Sequence, residues 1–153
     1  MDNNINFRSI EAFQALNNES IELLKTDAEF LKFTIGQPIC KRENIPNKIL
    51  VIVSGEARIL HENNSGVAST ISTLGVNSFI GLASLLRGKS CEEISAKSEV
   101  KVISFPDYIF LELFQEEESF REWCNNTLFI SEIYAICKSI SQALSKEILF
   151  KKK

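Results

Sequence analysis

The feature that most constrains the fold is a run of short β-type segments between Glu29 and Phe105, interrupted at short intervals by turn residues. The strongest segment is "ILVIVSGEARIL" (residues 49–60), in which two apolar-rich runs meet at Ser54-Gly55. This arrangement predicts a β-hairpin. Repeated over the whole region, the pattern predicts about eight short strands and therefore a jelly roll or small barrel.

Five further segments carry the remaining strand and turn signals. "EFLKFTIGQPIC" (29–40) predicts strand, turn and strand, because its apolar pattern breaks at Gly36 and Pro38. "ENNSG" (62–66) predicts a second turn and "VASTISTL" (67–74) a third strand. "EEISA" and "VKVISF" predict two short strands that end before Pro106.

Helical patterns flank this β region on both sides. Ser9 is a plausible N-cap for a helix in "SIEAFQAL", and "SIELLK" continues after a polar break. Pro106-Asp107 is a good helix start, and residues 119–149 contain neither Gly nor Pro, which predicts one long C-terminal helix. The expected fold is mainly β with flanking helices: an N-terminal helical segment (1–28), a jelly-roll barrel (29–106) and C-terminal helices (107–153).

Charge and cysteine spacing exclude several function classes. The net charge of -3, from 17 basic and 20 acidic residues, gives no case for nucleic-acid binding. Cys40, Cys91, Cys124 and Cys137 contain no C-x-x-C pair, so neither a zinc site nor a redox dithiol is expected. With no secretory signal and no apolar run near the roughly 20 residues that span a bilayer, we expect a cytoplasmic segment with reduced, buried thiols and no redox role for Cys91.

The sequence offers little for catalysis. Its single histidine, His61, lies at a strand end and is expected to be a solvated surface residue. Without further histidines, the ligand set of a jelly-roll metalloenzyme cannot form. The glutamates at positions 62, 92, 93 and 116–118 are interpreted as solvated faces rather than an acid/base pair. The common nucleophile and phosphate-loop motifs are absent from the sequence. We therefore expect no enzyme activity, no metal and no cofactor.

One stretch, "SFIGLASLLRGKSCEEISA" (78–96), has the form of a small anion pocket. An apolar run turns at Gly81, continues as a small-residue helix, and is followed by Arg87 and Lys89. Together with "IVSGEARI" and the strand that ends at Pro106, this stretch resembles the phosphate cassette of the cyclic nucleotide-binding domain. The family pattern is F-G-E-[LI]-[AG]-L-L, a short spacer, and R-x-A-x-V-x-A. The resemblance covers about residues 7–140 and implies a helix N-terminus, a glutamate for the ribose and an arginine for the phosphate.

The two polar ligands of that cassette are missing here. Leu82 stands at the glutamate's position, and the arginine's position falls on Ser90 or Cys91, depending on the end from which it is counted. Losing both costs about 2.5–4.5 kcal/mol, or roughly 10²- to 10³-fold in affinity. We therefore expect a degenerate pocket that does not bind ordinary cyclic nucleotides, unless Arg87 or Lys89 replaces the missing cation. Its predicted residues are Ile80, Gly81, Leu82, Ala83, Ser84, Arg87, Lys89, Ser90 and Cys91.

A narrower resemblance concerns the protein to which this domain would be attached. "IGQPICKRENIP", "SGEARIL", "SFIGLASLLRG", "CEEISA" and "FREWC" look like the N-terminal domain of bacterial peptidase-containing ABC exporters of the bacteriocin and toxin secretion class. This resemblance implies a regulatory or docking domain on the cytosolic face of the inner membrane, with the remainder of a transporter as its partner. Two alternatives stay open: a functional sensor of a cyclic nucleotide or another small anion, and the sensor half of a transcription regulator.

The C-terminal helix carries an apolar stripe, and the family resemblance implies pairing of two chains through this helix. We expect a parallel homodimer contact through Ile133, Cys137, Ile140 and Leu144, with packing onto the chain's own barrel as the alternative. Phe120 and Trp123 are predicted to anchor the helix to the barrel rather than to stack on a ligand.

Overall fold

The computed structural model describes residues 5–63 and 65–151, and within these ranges it contains eight strands in two four-stranded sheets. The strands are β1 (Glu29–Phe33), β2 (Pro38–Cys40), β3 (Lys48–Ser54), β4 (Ala57–Glu62), β5 (Ala68–Leu74), β6 (Phe79–Ile80), β7 (Ile94–Ala96) and β8 (Val100–Pro106). The predicted jelly roll of about eight strands is confirmed, although the two sheets do not close into a barrel. All strand pairs are antiparallel, in the orders β1-β8-β3-β6 and β2-β7-β4-β5.

The turn at Gly55 carries the chain from one sheet to the other, so the predicted hairpin of β3 with β4 is wrong. β3 pairs with β8 and β6, whereas β4 pairs with β5 and β7. Gly55 has φ +84°, and a Cβ at this position would lie 2.0 Å from the carbonyl oxygen of Glu99. The crossing therefore requires glycine for its conformation and for the close approach of the two backbones.

The second predicted turn does form a hairpin, between β4 and β5. The side chain of Asn63 organises it by accepting hydrogen bonds from the backbone N–H groups of Ser65 and Val67, both at 3.0 Å. Such local side-chain acceptors favour turns over extended strands.

The N-terminal segment differs from the prediction in its first half. Residues Phe7–Ser9 and Glu11–Phe13 form two short 3₁₀ turns instead of an α-helix, and the Ser9 hydroxyl donates to the carbonyl of Asn6 rather than capping a helix. The predicted second helix is present as α1 (Asn18–Thr26), whose N-cap Asn17 accepts from the Ser20 N–H at 2.8 Å.

The C-terminal region contains α3 (Asp107–Glu116), α4 (Glu118–Asn126) and α5 (Ile130–Lys151). The expectation of one uninterrupted helix from Ser119 is therefore wrong. Thr127 has extended backbone angles and ends α4, with its hydroxyl donating to the carbonyl of Trp123 at 2.7 Å. The weak helix formers Asn125, Asn126 and Thr127 explain the break, which needs neither Gly nor Pro.

The core lies on both faces of the sheet that contains β3. One face of β3, with Ile49 and Val51, packs against the N-terminal segment and α3–α4, and the other, with Leu50 and Ile52, packs against the second sheet. Phe120 is fully buried in the first cluster and Trp123 stacks on it at a centroid distance of 6.2 Å, as predicted for core anchors. Across the described residues, no helix combines the length and the apolar character needed to cross a membrane.

Candidate functional site

The cassette begins where β6 ends at a left-handed glycine. Gly81 has φ +93°, and a Cβ there would lie 2.8 Å from Cγ of Pro46. The short helix α2 (Leu82–Arg87) starts at this glycine and ends at Gly88, which also has positive φ. The glycine turn and the small helix predicted from the sequence are therefore present.

The carboxylate of Glu92 occupies the N-terminus of α2. It accepts hydrogen bonds from the backbone N–H of Gly81 at 3.1 Å, the backbone N–H of Ser84 at 3.1 Å and the Ser84 hydroxyl at 2.7 Å. The Ser84 hydroxyl in turn accepts from the backbone N–H of Cys91 at 3.1 Å. An acidic side chain at a helix N-terminus is favoured because it meets free N–H donors and the positive end of the helix dipole.

The interpretation as a solvated side chain is wrong for Glu117, which is 8% exposed, and for Glu92, which is only 3% exposed. Burial raises the pKa of the Glu92 carboxyl above the ordinary value of 4.5, and the hydrogen bonds from Ser84 and Gly81 act in the opposite direction. Glu93 does remain partly exposed, with 32% of its side chain accessible, and it pairs with Arg42 at 3.2 Å. Two adjacent glutamates thus have different roles because the chain turns one inward.

Leu82, at the position of the family's glutamate, is fully buried. It belongs to the core cluster formed with the N-terminal segment and α3–α4, and Ala83 and Ser84 beside it are buried as well. An apolar side chain in this environment offers no acceptor for a sugar hydroxyl.

The remaining predicted pocket residues separate into two groups. Arg87 lines a groove between α2 and the α4–α5 connection, which is otherwise largely apolar. Lys89, Ser90 and Cys91 line a different cavity of about 200 Å³, with both polar and apolar walls, between the cassette loop, β4 and α5. We call this second space the α5 cavity. It is lined by Arg42, Ile59, Leu60, His61, Ile71, Lys89, Ser90, Cys91, Ser131, Tyr134, Ala135, Lys138 and Ser139.

Sequence reasoning missed the cations and aromatic group that complete the α5 cavity. The ring of His61 packs on Tyr134 at a centroid distance of 4.4 Å, so this histidine belongs to the cavity wall. Burial, followed by the charges of Lys138 and Arg42, lowers its pKa below 6.5, whereas Glu93 and Glu62 oppose that shift. The sequence does contain a signal for the α5 side of this cavity: the spacing of Ser131, Tyr134 and Lys138 places their polar groups on one face of the helix.

All four thiols are free. Cys40 and Cys124 are buried as predicted, whereas Cys91 is only partly buried and Cys137 is exposed. Burial raises the pKa of Cys40 and of Cys124 to about 12, and burial also raises the pKa of Cys91. Raised values keep these sulfurs in the poorly reactive thiol form. Among residues 5–63 and 65–151, no group of three or more His, Cys, Asp or Glu side chains could hold a metal ion.

The predicted interface residues on α5 are exposed in the single chain. Ile133, Ile140 and Leu144 are each more than two-fifths accessible, and Cys137 is exposed. The stripe continues as an uncovered apolar face toward the end of the helix, through Ile148, Leu149 and Phe150.

Comparison with solved structures finds the same fold at low sequence identity. The catabolite activator protein of Thermus thermophilus is 16% identical with a TM-score of 0.61, covering 92% of this chain and 63% of that one. The regulatory domain of Toxoplasma gondii PKA, solved with cAMP, is 12% identical with a TM-score of 0.67, covering 77% of this chain and 45% of that one. A cyclic nucleotide-binding-like protein from Brucella abortus is 24% identical with a TM-score of 0.58, covering 71% of this chain and 94% of that one.

Sequence comparisons identify a protein family but no individual relative of this chain. No curated protein matches the chain. The chain spans less than two thirds of the Thermus and Toxoplasma chains. A model of the cyclic nucleotide-binding domain matches residues 30–117, which is more than half of the 153 residues and includes the whole cassette. With its two antiparallel sheets, its glycine-initiated α2 and this match, the chain belongs to the cyclic nucleotide-binding domain family.

Proposed function

We propose that this chain is a non-catalytic regulatory or docking domain that has lost the binding of ordinary cyclic nucleotides. The observation that carries the proposal is the carboxylate of Glu92, which accepts from Gly81 and Ser84 at the N-terminus of α2. A cyclic phosphate needs the same free N–H donors and the same helix dipole. In this chain an internal anion already uses them.

The charge and the side chains of the cassette also disfavour binding of a cyclic phosphate. A ligand phosphate would have to displace Glu92 or approach it closely, and like charges in a poorly solvated site repel strongly. Ser90 and Cys91 provide no cation for compensation, and Leu82 provides no acceptor for a ribose hydroxyl. The loss of the two family ligands alone weakens binding by roughly 10²- to 10³-fold.

Calorimetric titration of the chain with cyclic AMP and cyclic GMP tests this proposal. We expect no saturable binding tighter than about 10 µM, a threshold of roughly −7 kcal/mol in binding free energy. Tighter binding that is lost in Arg87→Ala or Lys89→Ala would show that a substitute cation has restored the site, and the proposal would then be wrong.

We also propose that this domain is attached to an ABC-type exporter and lies on the cytosolic face of the membrane. Support comes from the five segments that resemble the N-terminal domain of peptidase-containing exporters, among them "SFIGLASLLRG" and "FREWC". The alternative is the sensor half of a transcription regulator, the class suggested by the likeness to the Thermus catabolite activator protein. The complete coding sequence separates them: peptidase and ATPase motifs support the exporter, and a DNA-binding helix-turn-helix after residue 153 supports the regulator.

The proposed partner is a second copy of this chain, paired through α5. Ile130, Ile133, Cys137, Ile140 and Leu144 follow one another at alternating steps of three and four residues. This spacing is that of a two-stranded coiled-coil seam, and an exposed apolar stripe of this length gains from being covered. Light scattering at high protein concentration tests the pairing: a dimer mass supports it, and a monomer mass contradicts it.

A further inference from the structure

The second half of α5 extends away from the body of the domain. Every residue from 136 to 151 is exposed in the single chain. At about 1.5 Å per residue, this part of the helix is roughly 24 Å long. A free helix of this length is only marginally stable in water, so it gains from any surface that covers its apolar side chains. The seam proposed for the dimer covers only some of these side chains.

The last apolar residues of α5 do not continue that seam. The alternating steps of three and four residues that lead to Leu144 place Glu147 and Lys151 at the next two seam positions. These two charged side chains pair with each other at 2.9 Å. The apolar residues 148–150 are consecutive instead, and successive residues lie about 100° apart around a helix. Their side chains therefore face three directions, and one partner helix cannot cover all three.

These three residues are large and strongly exposed. Ile148 is 57%, Leu149 is 68% and Phe150 is 81% accessible in the single chain. Three neighbouring side chains of this size form an apolar end of the helix rather than an apolar stripe along it. Such a concentration of exposed apolar surface indicates an interaction site.

Lysines flank the apolar end on both sides. Lys146 precedes it and forms no ion pair among residues 5–63 and 65–151, and Lys151 follows it, with two further lysines next in the sequence. Residues 146–153 contain four lysines and one glutamate and thus have a net charge of +3, whereas the whole chain has −3. Residues 1–145 therefore have a net charge of −6. The end of α5 is a cationic and apolar segment on an otherwise acidic chain.

We infer that the α5 tip, defined as Lys146–Lys151, inserts into the surface of a lipid bilayer that contains anionic lipids. Cationic side chains next to exposed apolar ones fit the boundary between headgroups and acyl chains. A helix that enters this boundary with its end has its apolar side chains covered on every side. Anionic headgroups attract the lysines of the tip and repel the acidic remainder of the chain, which fixes the orientation of the domain.

This contact is interfacial and does not span the bilayer, since three apolar residues are far fewer than the roughly 20 that a spanning helix needs. Apolar insertion and electrostatic attraction act together here, and two such signals are what stable membrane binding requires. The inference goes beyond the proposed function, because it holds whether or not the domain is attached to an exporter.

Cosedimentation of the 153-residue chain with lipid vesicles tests the inference. One set of vesicles contains phosphatidylcholine alone, and the other contains equal parts of phosphatidylcholine and phosphatidylglycerol. We expect binding to the anionic vesicles, at least about tenfold weaker binding to the neutral ones, and weaker binding in high salt. The double substitution Leu149→Ser with Phe150→Ser should weaken binding at least about tenfold, and Lys151→Gln about fivefold.

Two matched controls separate the tip from general exposure and charge. Leu128→Ser removes an apolar side chain that is 81% exposed, like Phe150, but lies at the α4–α5 connection. Lys25→Gln removes a lysine from an exposed helical ion pair with Glu22, like that of Lys151 with Glu147, but on α1. Both control variants should bind anionic vesicles as the wild type does.

Several results would overturn the inference: no binding to anionic vesicles, equal binding to neutral ones, or control variants that lose as much binding as the tip variants. Light scattering of the double variant adds a further test. An unchanged mass supports lipid insertion, whereas loss of a dimer seen for the wild type would assign Leu149 and Phe150 to the contact between chains. Absence of vesicle binding contradicts this inference alone, because the titration with cyclic AMP tests the proposed function separately.

Discussion

Replacing Glu92 by alanine tests whether the buried carboxylate holds the cassette together. The substitution leaves the backbone N–H groups of Gly81 and Ser84 without their acceptor, and the Ser84 hydroxyl loses its partner as well. Each unsatisfied buried donor costs about 1–3 kcal/mol. Water that enters the space left by the side chain, and the removed cost of burying a carboxylate, offset part of this loss. We therefore expect the free energy of unfolding to fall by about 2–4 kcal/mol.

Equilibrium urea unfolding measures this change, with fluorescence of the single tryptophan, Trp123, as the signal. For a slope of about 2 kcal/mol per molar urea, the midpoint should move down by roughly 1–2 M. The matched control is Glu93→Ala, which removes only a partly exposed ion pair with Arg42 and should cost about 0.2–1 kcal/mol. Glu92→Gln keeps one acceptor oxygen and should fall between the two. If Glu92→Ala costs no more than Glu93→Ala, the carboxylate does not organise α2 and the reasoning fails.

Three further predictions concern pH, the sheet crossing and the helix stripe. Burial raises the pKa of Glu92 in the folded state. The difference in free energy of unfolding between the wild type and Glu92→Gln should therefore decrease as the pH rises from 4.5 through the folded-state pKa. Urea unfolding at several pH values measures this difference, and an increase with pH would contradict the expected sign. Gly55→Ala should lower the free energy of unfolding by more than about 2 kcal/mol through left-handed strain and the clash with Glu99. The control Gly75→Ala, where a Cβ meets no atom within 4 Å, should change it by no more than about 0.5 kcal/mol. Equal effects of the two substitutions would contradict the role of Gly55 in the crossing between the sheets. A short bismaleimide should crosslink two copies through Cys137 at the seam of a parallel dimer; crosslinking that survives Cys137→Ser but not Cys91→Ser would place the contact elsewhere.

Local signals in the sequence predicted the local elements of this fold. The segment at residues 67–74, predicted as a strand, forms β5, and the glycine at 81 starts α2 as expected. Turn residues likewise identified the β4–β5 hairpin, since Asn63 organises its own neighbours. Each of these features depends on residues within a few positions of one another.

The predictions that were wrong concern features that depend on contacts between residues far apart in the sequence. The Ser54-Gly55 turn has the composition of a hairpin, and only the pairing of β3 with β8 makes it a crossing between sheets. Glu92 follows a polar loop and precedes a second glutamate, which is the composition of a solvated surface. Its burial results from the position of β7 beside β4, which turns it toward the N-terminus of α2. Sequence reasoning therefore identified the glycine turn and the small helix of the cassette but not the side chain that accepts from the N–H groups at the start of α2.

Whether Glu92 keeps a cyclic phosphate from α2 can be measured by a ¹⁵N nuclear magnetic resonance titration of the wild-type chain with cyclic AMP, followed at the backbone amides of Gly81 and Ser84. These two N–H groups donate to Glu92 and would have to change partner if a cyclic phosphate bound at α2. We predict that neither amide signal moves up to about 1 mM ligand, a concentration that corresponds to roughly −4 kcal/mol of binding free energy. Saturable shifts of both amides below that concentration would show that the ligand displaces Glu92, and would contradict the account.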